Sequence, residues 1–195
     1  MTDTTDPTGG SGAAAVTTVY ERFTELTKRA MVAARDVADS LGHDFIGTEH
    51  LLLGLAQTAG TASEALRAHG IELGRLREET ARQMAAEGVA TTHGQAAKDA
   101  LSTLGIDVTE IQRRAEQSFG ANAFKYPRPA FSLSAKKAVQ SSLREARELG
   151  RERIDTEHLL LGALAQDDGA VRVLGTLGVG KEPLRRSVLD RTATA

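Results

Sequence analysis

The sequence predicts an all-α fold made from two copies of one helical unit, with two extra helices between them. The segment Ile-Gly-Thr-Glu-His-Leu-Leu-Leu-Gly at residues 46–54 returns as Ile-Asp-Thr-Glu-His-Leu-Leu-Leu-Gly at residues 154–162, and this offset aligns residues 23–80 with 131–188 without a gap. Self-similarity at a fixed spacing indicates repeated structural units. Apolar residues recur at three- and four-residue steps, which is typical of amphipathic helices, and no segment alternates with period two for more than a few residues.

The first repeat, about residues 20–86, is expected to hold four helices. An apolar stripe from Phe23 to Leu41 predicts the first, and Gly42 supplies a left-handed stop. Thr48 is expected to cap a second helix over residues 49–57, which is apolar nearly all round and therefore belongs in a core. Two further helices are expected over residues 61–68 and 72–86.

The second repeat, about residues 131–190, copies this order, with helices expected over residues 132–149, 156–166, 169–176 and 181–190. The back half of the repeat occurs a third time at about residues 95–118, where Asp107 and Glu110 have the spacing of a capping box. Residues 119–130 contain Pro127 and Pro129 and are expected to be the connector. Residues 1–18 have almost nothing to bury and are expected to form a disordered tail, so that residues 19–195 make the domain.

Composition excludes several classes of function. The chain has 195 residues, a net charge of -2, no cysteine, no tryptophan and 4% aromatic residues. These values argue against thiol catalysis, thiolate metal sites, a basic surface for nucleic acid and an aromatic platform for bases. No apolar run approaches the roughly 20 residues that cross a bilayer, and the N-terminus lacks the features of a secretory signal. A cytoplasmic protein without cofactors is expected.

Three strings carry a family resemblance: Phe-Thr at the head of a helix, then Leu-Gly-His, then Ile-Gly-Thr-Glu-His-Leu-Leu-Leu-Gly-Leu. Together they resemble the Clp N-terminal repeat, in particular the N-domain of the ClpC and ClpA unfoldases. The resemblance implies two four-helix repeats related by pseudo-twofold symmetry, a domain that in the family precedes ATPase modules and receives substrates and adaptors. It therefore implies a non-enzymatic binding module of the Clp system.

The resemblance also implies a ligand site. ClpC-type N-domains bind phosphoarginine, which requires a carboxylate for the guanidinium group and helix-start N–H groups for the phosphate. In the family these come from the Thr-Glu-His motif and from the start of the first helix, so Glu49 is expected to act with Thr24, and Glu157 with Ser132. With the adjoining aromatic and basic positions, the expected ligand-binding residues are Phe23, Thr24, Glu49, Phe131, Ser132, Lys136 and Glu157.

Two departures from the family pattern make the expected sites unequal. Asp155 stands where the first repeat has Gly47, and Ser134 stands where the family usually has a basic residue. Both are expected to weaken anion binding at the second site, so the first site, with Thr24 and Glu49, is the better candidate.

Structural roles compete with these interpretations. Glu49 and Glu157 lie in the first turn of a helix, where the helix dipole alone favours acids by roughly 0.3–1 kcal/mol. His50 and His158 are expected to be core or capping residues, because each repeat offers one such histidine and no second metal ligand at helical spacing. The phosphate-loop-like segment 175–181 is followed by Glu182 instead of Ser or Thr and comes after a helix, so no ATP site is expected.

Competing functions follow from the same resemblance. The leading hypothesis is a modulator or decoy that binds Clp substrates, adaptors, a Clp unfoldase itself, or small ligands such as phosphoarginine-like groups and cyclic peptide antibiotics. The alternative is the substrate-receiving N-terminal fragment of a larger ATP-dependent Clp unfoldase. An enzyme is a remote third class, because no nucleophile motif is present. A monomer is expected.

Overall fold

A computed structural model of the chain describes residues 19, 21–88, 102–105, 107–119 and 129–194. This part of the chain is almost entirely helical, which confirms the all-α class. The first repeat contains α1 (Glu25–Leu41), β1 (Phe45–Ile46), α2 (Thr48–Gln57), α3 (Thr61–Ala68) and α4 (Leu73–Ala86). Helix α5 (Val108–Phe119) follows, and the second repeat contains β2 (Ala130–Phe131), α6 (Leu133–Glu148), α7 (Thr156–Leu164), α8 (Gly169–Thr176) and α9 (Lys181–Thr194).

The local signals for helix ends are mostly confirmed. Thr24 and Ser132 are the N-caps of α1 and α6, and their hydroxyl groups accept backbone N–H bonds from the first turn. Gly42 ends α1 with φ 75°, a left-handed conformation that glycine adopts without steric cost.

One capping prediction is wrong. The N-cap of α2 is Gly47, and Thr48 is the first residue inside the helix. The Thr48 hydroxyl instead accepts the N–H of Ala170 at 3.1 Å, in the first turn of α8. Thr48 therefore caps a helix of the other repeat, because the start of α2 lies against the start of α8.

The first two helices of each repeat cross at very short distance. A Cβ atom placed on Gly54 in α2 would lie 2.2 Å from the Ala30 carbonyl oxygen in α1. A Cβ atom placed on Gly162 in α7 would lie 2.3 Å from the Ala138 carbonyl oxygen in α6. The glycine that ends the duplicated motif is therefore required by helix packing in both repeats.

The two repeats are joined around the duplicated motif. Strands β1 and β2 pair in parallel, with Ile46 opposite Phe131, and an isolated bridge joins Phe23 to Ile154. Helix α4 packs against α8, and α9 packs against α3, so the back halves of the repeats cover each other reciprocally. The leucines of both motif copies lie in the common core and are at most 1% exposed: Leu51, Leu52, Leu53, Leu159, Leu160 and Leu161.

The segment between the repeats is described in part. Ser102 and Thr103 are helical, Gly105 turns the chain with φ 77°, and α5 begins at Val108. The Asp107 carboxylate accepts the Glu110 N–H at 3.0 Å, which is one half of the predicted capping box. The predicted tail at residues 1–18 and most of the predicted connector, residues 120–128, lie outside the described residues. Within the described helices, none is both long and apolar enough to cross a membrane.

Candidate functional site at the helix starts

The start of α1 lies against the motif of the second repeat. The Thr24 N–H donates to the Ile154 carbonyl oxygen at 3.0 Å, and the Thr24 hydroxyl donates to the Asp155 carboxylate at 3.1 Å. Thr27 also donates its hydroxyl to the Ile154 carbonyl oxygen, at 3.0 Å. Thr24 therefore contacts Asp155 of the other repeat as well as Thr27 of its own helix, because the Phe23–Ile154 bridge brings the two repeats together here. The sequence pairs Thr24 with Glu49 and Ser132 with Glu157; the hydrogen bonds of Thr24 described here run to Asp155 and Ile154 of the other repeat.

Asp155 holds two helix starts together at this point. Its carboxylate accepts the Thr156 N–H at 2.8 Å, at the first residue of α7, in addition to the Thr24 hydroxyl. N–H groups at a helix start carry partial positive charge and attract anions. An internal carboxylate thus lies between the Thr24 hydroxyl and the first N–H of α7.

The start of α6 makes the equivalent approach to the first repeat. The Ser132 N–H donates to the Ile46 carbonyl oxygen at 3.0 Å, one residue before Gly47. The Ser132 hydroxyl accepts the Ala135 N–H at 3.1 Å and lies 3.0 Å from the Ser134 hydroxyl. Because Gly47 has no side chain, no counterpart of the Asp155 carboxylate reaches Ser132 from that position.

Glu49 is buried, with 4% of its surface exposed. A Cβ atom on Gly47 would lie 2.0 Å from one carboxylate oxygen of Glu49, and a Cβ atom on Gly169 would lie 2.1 Å from the other. The carboxylate is therefore held between two glycines, beside the start of α8. The corresponding positions around Glu157 are Asp155 and Thr61, both of which carry a Cβ atom.

A histidine pair adjoins Glu49. His50 Nδ1 accepts the Gly47 N–H at 3.0 Å, so the ring proton is on Nε2 and is donated to His43 Nδ1 at 2.9 Å. Glu49 Oε1 lies 3.0 Å from the same Nδ1 but receives no proton from it. This oxygen is buried without a hydrogen-bond partner among the described residues. Burial, and after it the neighbouring His50, lowers the pKa of His43 to about 4.

The second repeat differs at the equivalent positions. Burial raises the pKa of Glu157, and the nearby Asp155 charge acts in the same direction. His158 Nδ1 accepts the Asp155 N–H at 2.9 Å, which repeats the role of His50. The position of His43 is taken by Arg151, which is exposed, and His158 Nε2 has no hydrogen-bond partner within the described part of the chain. The histidine of each motif copy thus accepts the N–H of the N-cap residue, but only His50 has a second histidine beside it.

The remaining predicted ligand residues divide into core and surface. Phe23 is fully buried and belongs to the core, whereas Phe131 is half-buried and packs against it. Lys136 is exposed, one turn after Ser132. Leu133 follows Ser132, is 69% exposed and is not among the ligand-binding residues expected from the sequence. The only indication of Leu133 in the sequence is an apolar residue directly after an N-cap, at the first position of a helix.

Two further site predictions can be compared with the structure. No group of three or more potential metal ligands occurs among the described residues. The segment 175–181 begins inside α8 and ends at the first residue of α9, so it follows a helix as expected. Lys181 donates to Asp167, and it has no strand–loop–helix setting for a phosphate.

Comparison with known proteins identifies the architecture. A family model described as the Clp repeat N-terminal domain matches residues 22–96, 88–177 and 130–194. ClpB of Oceanobacillus iheyensis and the negative regulator of genetic competence ClpC/MecB of Bacillus subtilis are each 34% identical over 88% of this chain. Chloroplastic ClpC1 of Arabidopsis thaliana is 33% identical over 94% of it. The chain spans 16–17% of the length of these relatives.

Solved structures with the same fold include other N-domains. The N-terminal domain of ClpD from Arabidopsis thaliana is 27% identical, with a TM-score of 0.60 over 89% of this chain and 96% of that one. The N-domain of ClpV from Vibrio cholerae is 16% identical, with a TM-score of 0.57 over 98% and 95%, and supports the fold alone. The repeated motif and the cross-repeat packing agree with the family match, and the chain belongs to the Clp repeat N-terminal domain family.

Proposed function

We propose that the chain is a non-enzymatic recognition module that binds protein segments, adaptors or small ligands of the Clp unfoldase and protease system. The family domain is a binding domain, and a ClpV N-domain of the same fold has been solved with a VipB peptide. The observation that carries the proposal is the start of α6, where the Ser132 N–H bonds to Ile46, one residue before Gly47, and position 47 supplies no carboxylate to the Ser132 hydroxyl. A helix start of this kind suits an anionic group.

A phosphoarginine-like group fits the chemistry around Ser132. The exposed Lys136 adds positive charge one turn into α6, and Leu133 offers an apolar contact beside it. Glu49 Oε1 lacks a hydrogen-bond donor, and a guanidinium group supplies planar donors that match a carboxylate. Cyclic peptides with apolar side chains are a second ligand class, for which Leu133 is the relevant surface.

The two helix starts are unequal under this proposal. Asp155 already neutralises the start beside Thr24, so an anion entering there would have to displace a bonded carboxylate. Gly47 leaves the start beside Ser132 without such a competitor. The functional site of the module is therefore assigned to Ser132, Lys136 and Glu49, and the Thr24 and Glu157 side is assigned a weaker role.

Removing the Asp155 carboxylate should open an additional site at the helix start beside Thr24. In calorimetric titration with free phosphoarginine, we expect the wild type to bind about one equivalent and Asp155→Gly to bind about two. Asp155→Gly places the residue of the first repeat at this position, and glycine is tolerated as an N-cap. Asp155→Asn separates the effects, because it removes the charge but keeps an oxygen for the Thr156 N–H.

The complementary variants act on Ser132. Ser132→Gly should weaken the single wild-type site by roughly 10- to 150-fold, since a hydrogen bond to a charged group is worth roughly 1.5–3 kcal/mol. Ser132→Thr copies Thr24 and should retain binding. Unchanged affinity in Ser132→Gly, or the absence of heat with the wild type, would contradict the assignment of this site to phosphoarginine. Glu49 is a poor target, because its burial would mix stability with binding.

The role of the module in the Clp system has two versions. A free module that binds the same ligands as an unfoldase would act as a modulator or decoy. The fact that the chain spans 16–17% of its relatives fits equally well with the substrate-receiving part of a larger unfoldase. The mass of the product in its native source decides between them, because a product far above 20.7 kDa supports the larger protein.

A further inference from the structure

A surface pocket opens in the back half of the first repeat, where the end of α2 meets α3 and the start of α4. It has a volume of about 490 Å³, and four apolar side chains contribute to its lining: Ala56, Leu66, Ile71 and Leu73. Leu66 and Ile71 are buried, whereas Leu73 leaves 40% of its surface exposed. Neither Ser132 nor Glu49 lines this pocket, so it is separate from the site proposed above.

The second repeat has larger side chains at the aligned positions. Ala56 aligns with Leu164, which is 1% exposed and belongs to the core. Ala59, which also lines the pocket, aligns with Asp167. The Asp167 carboxylate accepts a bond from Lys181, and this ion pair ties the loop after α7 to the start of α9. The small side chains of Ala56 and Ala59 therefore leave space in the first repeat that the second repeat fills.

The pocket also carries one positive and one negative side chain. Arg67 donates from Nε to the Ser63 carbonyl oxygen at 3.1 Å and from Nη2 to the Ser63 hydroxyl at 2.9 Å. Both bonds run to uncharged groups, so its charge has no carboxylate partner among the residues that the structure describes. Glu72, the exposed N-cap of α4, lies on the same pocket. Gly175 and Gly180 hold the aligned positions in the second repeat, so both charges are particular to the first.

We propose that this pocket binds a short segment of a partner protein in which an aliphatic side chain stands between an acidic and a basic residue. The aliphatic side chain enters the pocket and covers Leu73, the acidic residue pairs with Arg67, and the basic residue pairs with Glu72. The second repeat supplies the precedent, because the aliphatic chain of Lys181 is held at the aligned position by a group of opposite charge. Complementary charges around an apolar contact give such a site its specificity.

Titration of the isotope-labelled full chain with the peptide acetyl-Gly-Asp-Leu-Lys-Gly-amide, followed by NMR, tests the pocket. Saturable shifts are expected at the backbone amides of Ala59, Gly70 and Leu73. Serine in place of the peptide leucine should weaken binding by roughly tenfold or more, because the burial of a leucine side chain is lost. The absence of shifts at millimolar peptide, or saturable shifts only outside the pocket, overturns the proposal. Shifts of the pocket amides that depend on protein concentration without peptide would assign the pocket to a second copy of the chain and also overturn it.

Ala56→Leu fills the pocket with the side chain that the second repeat has at this position. This variant should keep its helical circular dichroism and bind the peptide roughly tenfold or more weakly, because the space for the peptide leucine is occupied. The matched control is Ala85→Leu, the same change at an exposed position of α4 outside the pocket, which should bind as the wild type does. Equal affinity of Ala56→Leu and the wild type would place the peptide elsewhere and overturn the proposal.

Arg67→Gln tests the position of the acidic residue. With the wild type, asparagine in place of the peptide aspartate should weaken binding by up to roughly fivefold, the range of an exposed ion pair. With Arg67→Gln the two peptides should bind equally, because the partner of the carboxylate is gone. This comparison isolates the pairwise contact from other effects of the substitution, such as the loss of the bonds to Ser63. If the change from aspartate to asparagine has the same effect on both proteins, the acidic residue does not face Arg67 and the proposal fails.

Discussion

Replacing Gly54 with alanine should destabilise the protein by about 3 kcal/mol, the upper end of the cost of overpacking a well-packed site. The added methyl group would lie 2.2 Å from the Ala30 carbonyl oxygen and 2.8 Å from the Ala34 nitrogen. Both atoms belong to the backbone of α1, so no side-chain rotation relieves the clash. Gly162→Ala should have a similar effect in the second repeat, where the Ala138 carbonyl oxygen is 2.3 Å away. Urea unfolding followed by circular dichroism measures both changes.

Gly74→Ala is the matched control for this substitution. Gly74 lies in α4, and a Cβ atom placed on it has no neighbour within 4 Å. Alanine has the higher helix propensity, so this variant should be stabilised by about 0.5 kcal/mol. If Gly54→Ala and Gly74→Ala unfold at the same urea concentration, close crossing of α1 and α2 is not the reason for the duplicated glycine.

Local patterns in the sequence predict most of the fold. The apolar stripe before Gly42, the buried leucines of the motif and the hydroxyl caps at Thr24 and Ser132 are each properties of one helix and its flanks. The order and length of the helices follow from them. The position of Thr48 does not, because its hydroxyl bonds to Ala170, more than a hundred residues away in the chain. A sequence pattern predicts only that a residue caps the helix it precedes, whereas Thr48 caps a helix of the other repeat.

The candidate site was harder to predict for the same reason. The residue types needed for an anion and a guanidinium group are visible in the sequence at Thr24, Glu49, Ser132 and Glu157. Their partners depend on the parallel contacts between repeats, which set Thr24 beside Asp155 and Ser132 beside Ile46. The burial of Glu49 between Gly47 and Gly169 also joins residues from both repeats. The hydrophobic periodicity of one repeat cannot predict contacts that its residues make with the other repeat.

Mild acid should destabilise the protein through the buried pair of His43 and His50. His43 has a pKa of about 4 in the folded state, against an ordinary value of 6.5. Above pH 6.5 the ring is neutral in both states and its contribution to stability is complete. As the pH falls from 6.5 towards 4, the unfolded chain takes up the proton first, so stability is lost. The full difference corresponds to about 3 kcal/mol, at 1.36 kcal/mol for each pKa unit.

The structural reason is that the bond between the rings requires a lone pair on His43. His43 Nδ1 accepts the proton of His50 Nε2 at 2.9 Å, and a protonated His43 would have two donors facing each other in a buried site. His158, whose pKa is also lowered by burial, acts in the same direction. Glu157 acts in the opposite one, because its pKa is raised and protonation favours the folded state. Subtracting the pH dependence of the unfolding free energy of a His43 variant from that of the wild type removes the contributions of His158 and Glu157. The difference is the contribution of His43 in its pair with His50.

His43→Gln is the variant for this comparison. Glutamine offers an amide oxygen to His50 Nε2 but does not titrate, so the difference in unfolding free energy between wild type and variant should change by about 3 kcal/mol between pH 7.5 and pH 4. His69→Gln removes an imidazole at the end of α3, outside this pair, and controls for the loss of one histidine. Urea midpoints measured across the range give the slope. Parallel curves for the wild type and His43→Gln would mean that the pKa of His43 is the same in the folded and unfolded states, and would contradict a buried hydrogen bond that depends on a neutral His43 ring.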